Sequence, residues 1–184
     1  SLLDHKAYEL INSTNRGCKG QMETRVEQAC RNCANIKNRQ NKARDVSLEI
    51  IEQIIKKQNL LNNKIIIVTL DKSHAIDRNL TGLVATKIAN EYQRPTLILN
   101  ESVQSDGSIL WEGSGRNYGQ SDFESFRQFL DDSGYFEYAE GHEGACGVGI
   151  ADLQLAAFIE YSNSSLANFN FTSRYNVDFE YDSK

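Results

Sequence analysis

Apolar residues recur at near-helical spacing from about residue 22 to 61, through Val26, Cys30, Cys33, Ile36, Ala43, Ile50, Ile51, Ile54 and Ile55, which predicts one long helix or two in series. The first half, RNCANIKNRQNKARD, is rich in Lys, Arg, Asn and Gln and is expected to be the exposed half; the second, SLEIIEQIIKKQNLL, is amphipathic. The period then changes. In NKIIIVTL, residues 63–70, β-branched residues dominate between Asn62, Asn63 and Asp71, so a buried strand is expected. Thr81 and Gly82 open a helical stretch, LVATKIANEYQ, that stops before the single proline, Pro95, and TLILN follows as a second strand. Strand, helix, strand is a βαβ unit. Further along, GSILWEG reads as a strand, SDFESFRQFLDDSG as a helix capped by Ser121 and closed by Gly134, and ACGVGIA as a glycine-spaced strand. DLQLAAFIEYSNSSLANF reads as a helix, and RYNVDFEY alternates as a strand. The expected fold class is α/β, a mixed β-sheet with helices packed on it. The expected organisation is a helical linker arm over residues 1–62, the α/β domain over 63–168 and a C-terminal β tail over 169–184.

Composition narrows the class of protein. A chain of 184 residues is long enough for one well-buried domain plus an appendage, and no apolar run approaches the roughly 20 residues that span a bilayer. SLLDHKAYEL lacks the basic start, apolar middle and small-residue cleavage site of a leader. The expected location is therefore cytoplasmic, without a membrane partner, and the four cysteines are expected as free thiols. The net charge of −5 conceals a segregation that bears on nucleic acids. Residues 16–57 carry ten Lys/Arg against five Asp/Glu, whereas residues 121–184 carry three against twelve. A solvated helix face explains the basic stretch as readily as a polyanion-binding surface does.

Three glycine-marked segments are candidate sites. Thr81-Gly82 would place unpaired backbone N–H groups toward an anion, although ordinary capping produces the same arrangement. GSGRN, running from Gly113 to Asn117, would let backbone amides and the Ser114 hydroxyl approach a ligand, with Arg116 as a fork for phosphate. A plain turn would need the glycines but not Arg116. EGHEGACGVGI surrounds His142 with Gly141, Gly144, Gly147 and Gly149, as a tight loop feeding a strand. A lone histidine beside glycine is more often structural, but here backbone is made small on both sides of it. Trp111 and Tyr118 lie beside the GSGRN turn as candidates for base stacking, with Trp111 reading equally as core. Cys30 and Cys33, with Cys18 and a histidine, raise zinc binding, but both sit on the apolar face of the helix and no second CxxC pair exists, so no metal site is expected.

In order, TGLVATKIANEYQRPTLIL, GSGRN and GHEGACG resemble the DHH-associated domain of RecJ-like single-strand-specific exonucleases, over roughly residues 60–160. Upstream, NRGCKGQ and CANIKNRQNKARD look like the linker helix of phage and prophage members. The resemblance implies single-stranded DNA as partner, with Ser114 and Arg116 on backbone phosphates and Gly113, Asn117, Gly141 and Gly82 shaping the grip. His142 would be the catalytic contact, reaching the phosphate under attack, and Lys37, Arg39, Lys42 and Arg44 would add diffuse attraction. It also implies manganese or magnesium in a catalytic N-terminal half whose Asp-rich and Asp-His-His motifs this chain lacks; Asp4-His5-Lys6 is only a superficial match. No cofactor is expected within the chain, which alone is expected to be inactive. Two departures from the family pattern are Glu140 in place of the first loop glycine and Cys146 in place of alanine. Alternatives are a nucleic-acid-binding module without nuclease activity, since related domains occur in alanyl-tRNA synthetases, and a dinucleotide phosphoesterase of the same superfamily.

Overall fold

The computed structural model describes residues 5–171, which divide into two compact units at Asp45 and Val46, inside a single helix, α1 (Arg25–Lys57). The long helical period is thus one helix rather than two. In the first unit a short antiparallel hairpin, β1 (Leu10–Asn12) and β2 (Met22–Thr24), leads into α1. Strands of three residues are too short to show alternation, and the sequence reading passed over both. Thr24 and Glu27 cap the helix reciprocally: Thr24 N–H donates to Glu27 Oε2 at 2.8 Å and Glu27 N–H donates to Thr24 Oγ1 at 3.2 Å. Arg31 donates to Glu23 Oε1 at 2.7 Å, and this guanidinium holds the Glu23 carboxyl down to about 2. Residues 32–40 of α1 are exposed on every face, as the polar composition of that half predicts. Cys30 and Cys33 are exposed too, with no buried cluster among the described residues of this unit for their apolar stripe to join.

The second unit is built on a five-stranded mixed sheet in the order β3-β4-β5-β7-β6. β3 (Ile66–Leu70) and β4 (Thr96–Val103) are parallel and joined through α2 (Arg78–Tyr92), which is the expected βαβ unit. β5 (Ile109–Arg116), β6 (Phe136–His142) and β7 (Ala145–Ala151) complete it antiparallel. Side chains alternate between its faces. One face takes Ile66, Val68, Leu70 and Ile98, packed under α2 and under Leu48, Ile51 and Ile55 of α1. Each of those burials is worth roughly 1.5–3 kcal/mol, which is why the amphipathic half of α1 belongs with the sheet. The other face takes Leu97, Leu99, Cys146, Val148 and Ile150 under α3 (Phe126–Asp132) and α4 (Asp152–Ser165).

Several elements differ from the sequence expectation. α2 begins at Arg78, not at Thr81, because Asp77 caps it by accepting from Asn79 N–H at 2.9 Å. α3 is shorter than expected and is capped by Ser125, which accepts from Gln128 N–H at 3.2 Å; Ser121 instead closes a turn by donating to the Tyr118 carbonyl at 2.9 Å. GSGRN is no turn: Gly113 to Arg116 form the end of β5. The histidine loop is equally compact, with Gly141 and His142 ending β6, Ala145 opening β7 and only Glu143-Gly144 between them. β6 itself went unread. A register shift between Phe136 and Tyr138 breaks its period of two and erases the signal a strand leaves in sequence. The strand expected at RYNVDFEY lies outside the described residues. No helix among the described residues is long and apolar enough to cross a membrane.

A glycine-floored trough beside Arg116

α2 covers one face of the sheet only as far as β5. Beyond it, the same face of β7 carries Ala145, Gly147 and Gly149, while Cys146, Val148 and Ile150 turn to the buried side. A Cβ on Gly147 would meet nothing nearer than 3.9 Å, and that only the carbonyl oxygens of Glu140 and Gly113 on the flanking strands. Gly147 is therefore the floor of a shallow trough between β5 and β6.

The walls follow from the strand register. Arg116, Ala145 and His142 stand opposite one another across β5, β7 and β6, so the arginine and the histidine share a face with their Cα atoms about 10 Å apart, two strand spacings. Ser114, Gly147 and Glu140 form the next row. Gly82, in the second turn of α2, is not at the helix terminus and is needed for contact: a Cβ there would lie 2.3 Å from an Arg116 guanidinium nitrogen and 3.6 Å from Ser114 Oγ. Arg116 makes no ion pair among the described residues; its guanidinium donates to the Gly115 carbonyl at 2.7 Å. A half-buried cation without a carboxylate is suited to an anion.

Hydrogen-bond counting restricts Ser114. Thr81 is buried, and its hydroxyl donates to the Arg78 carbonyl at 2.8 Å. Thr81 and Ser114 are 2.9 Å apart, and since the threonine's one proton is committed, Ser114 is the donor of that pair. Ser114 then faces the trough as an acceptor, with no proton for a phosphate oxygen. Its contact ties β5 to α2.

The remaining candidates separate. Gly113 is demanded by strand pairing, since a Cβ there would fall 1.9 Å from the Ile98 carbonyl oxygen. Gly141 has φ +128°, and a Cβ would lie 2.8 Å from the Ala145 carbonyl oxygen, so the turn beside His142 requires glycine. Asn117 braces the same turn, its N–H donating to the Gly144 carbonyl at 2.9 Å and its amide to the Phe123 carbonyl. Tyr118 is buried, its hydroxyl donating to Gln120 at 2.9 Å, which withdraws it as a stacking surface. Trp111 is tied by its indole N–H to Asp152 at 2.8 Å and packs on the core. Lys37, Arg39, Lys42 and Arg44 stand on the first unit; Arg44 is paired with Asp45 at 2.7 Å, and Asn35, Asn38, Arg39 and Lys42 line a shallow surface hollow.

One aromatic on the trough was not singled out from sequence. Tyr138 leaves the edge strand β6, rests over Gly149, and donates its hydroxyl to Glu112 on β5 at 3.1 Å. Burial, then this hydrogen bond, pushes the phenol up to about 12, so it remains a donor at neutral pH. Glu112 is held below the usual carboxylate range, first by the Ser102 hydroxyl, and also accepts from Arg78 at 2.8 Å. Only the unseen strand β6 reveals that Tyr138 shares a face with His142.

Over 171 residues the chain is 33% identical to a Bacillus subtilis (strain 168) protein named a putative SPbeta prophage-derived single-strand DNA-specific exonuclease, YorK, and equally to its namesake in Bacillus phage SPbeta. The alignment covers 90% of this chain and 29% of each relative. Two crystal structures of RecJ from Thermus thermophilus, in complex with Mg2+ and with Mn2+, share the fold at a TM-score of 0.51 each. The fold is RecJ-like. The two RecJ structures are 17% and 18% identical to it, over 77% and 71% of this chain and 20% and 18% of theirs. No protein-family model matches the chain, which spans less than a third of the length of the curated relatives it matches. The mixed sheet with helices on both faces is the α/β fold read from the sequence.

Proposed function

We propose that this RecJ-like chain is the strand-gripping part of a single-strand-specific DNA exonuclease. Phosphate is held by Arg116, with His142 completing the contact at the phosphate under attack, and the DNA backbone lies over Gly147. The observation that carries this reading is a guanidinium with no carboxylate partner among the described residues, beside an open glycine floor and in one row with an exposed histidine. Glycine on the open face and bulky residues on the buried face of the same strand is what close approach by a polymer backbone needs. Ser114 and Thr81 fix the arginine's wall instead of touching phosphate, and Gly113, Gly141 and Asn117 hold the strands and the turn in place. The exposed Lys37, Arg39 and Lys42, and Arg44 to a lesser degree, add attraction that weakens with salt.

The divalent ions of the two RecJ structures raise the question of a metal here. Among the described residues no three His, Cys, Asp or Glu side chains are grouped to hold one. The residues present do not fit a two-ion centre, whose ions need several converging carboxylates. The chain's role is binding, and the hydrolytic machinery belongs to another part of the full-length protein.

Anisotropy titration of a labelled single-stranded oligonucleotide against the protein and its Gly147→Val variant tests the reading. The variant should melt within a few degrees of the parent, because its Cβ enters open space, and should bind about tenfold or more weakly as the floor rises. Unchanged affinity would remove the trough as the binding surface. Gly82→Ala should separate folding from function in another way. Alanine gains about 0.5–1 kcal/mol inside a helix, while its Cβ displaces the flexible Arg116 head. Stability should hold or rise while affinity falls several-fold, read by melting and titration on the same sample.

A further inference from the structure

We propose that Tyr138 is the base-contacting platform of the trough. This rests on the trough being the single-strand site. The two aromatics nearest the phosphate grip in sequence, Trp111 and Tyr118, are both committed elsewhere, one to Asp152 and the core and the other buried. Tyr138 is neither. It springs from the exposed edge of the sheet, two residues before Glu140 and four before His142, and its ring crosses the middle strand to reach Glu112.

Glycine at position 149 exists for this ring. A Cβ there would come within 2.3 Å of Tyr138 Cε1, 2.9 Å of Cζ and 3.0 Å of Cδ1, so the ring occupies the space a side chain would fill. At Gly147, one row nearer Arg116, the equivalent space is empty. The trough thus runs along β7 from Arg116 and His142, across a bare floor, to a ring clamped at its hydroxyl and only partly buried. A ring held at both ends gives up little side-chain freedom when a base packs on it. Glu112, which anchors the ring and pairs with the exposed Arg78 of α2 at 2.8 Å, lies four positions along β5 from Arg116, or about 13 Å at the strand rise. A cation at one end of the trough and an aromatic at the other match the combination that holds single strands without reading their sequence.

Two strands of equal length, one of ordinary nucleotides and one of abasic residues, separate the roles. Tyr138→Leu should lose about tenfold in affinity for the ordinary strand, Tyr138→Phe should stay within about threefold of the parent, and the parent should lose a similar factor on the abasic strand. On that abasic strand Tyr138→Leu should cost nothing further. Because the parent's preference for bases needs no variant, the proposal stays testable if Tyr138→Leu folds poorly. Equal affinity of the parent for both strands, with Arg116→Ala still impairing both, would overturn the platform and leave the phosphate grip standing. No loss on Arg116→Ala would instead remove the site itself.

Discussion

Arg116→Ala is expected to weaken binding of single-stranded DNA by about tenfold to a hundredfold at low salt. A charge-assisted contact from an arginine fork to phosphate is worth about 1.5–3 kcal/mol, and nothing nearby replaces it, since Arg78 is held at the other end of the trough by Glu112. The loss should shrink at higher salt. On a single strand each neutralised phosphate contributes about 0.7 to the slope of log affinity against log salt, so the slope should flatten by about that much. Arg116→Lys separates charge from geometry: it should keep the parent's slope while losing part of the affinity, because a point charge cannot grip two oxygens at once. The fold should not notice either change, given that the side chain's hydrogen bond goes to the neighbouring carbonyl of Gly115. Unchanged melting with reduced affinity is the expected pair of results, and a variant that binds like the parent would leave the proposed function without its principal cation.

The long-period elements were legible because their cause is local. A run such as IIIVTL, β-branched and short, favours a buried strand, and the mixed apolar and basic stretch before it keeps a helical period although it is exposed for part of its length. The sites were found as residue types but misjudged as shapes. Gly-Ser-Gly-Arg reads as a turn because glycine usually punctuates, yet here each glycine answers to a different neighbour: Gly113 to the β4 backbone, Gly115 to Cys146, Leu97 and Phe126. Those demands come from strands and a helix more than ten residues away and leave no local trace. The same holds for the open floor. That Gly147 is bare while Gly149 lies under an aromatic depends on the neighbouring edge strand, whose alternation is broken by its own irregularity. Asp77 as a helix cap was available to a reader of the sequence, for Asp followed by Arg-Asn-Leu is a start signal in its own right.

Gly113→Ala is expected to be the most destabilising single change among the candidate residues, and to act on folding alone. Its Cβ would sit 1.9 Å from the Ile98 carbonyl oxygen, 2.9 Å from the carbonyl carbon and 3.0 Å from Leu99 Cα. All three are backbone atoms of β4, the strand that joins the parallel and antiparallel halves of the sheet. A flexible side chain could swing aside; this backbone is fixed by its ladder on both flanks, with Leu99 paired to Gly113 on one side and to Thr69 on the other. Relief requires parting β4 from β5, so the cost should reach about 3 kcal/mol or more, at the upper end for overpacking. That corresponds to a melting temperature lower by roughly 10 °C for a unit of this size. Binding per folded molecule should be unaffected, because a Cβ at Gly113 points into the β4 backbone and not into the trough. Gly147 provides the opposite case one row away on the adjacent strand: there the added side chain should spare folding and impair binding. If Gly113→Ala melts like the parent, the strands are further apart than the geometry requires, and the register that brings Arg116 and His142 into one row loses its support.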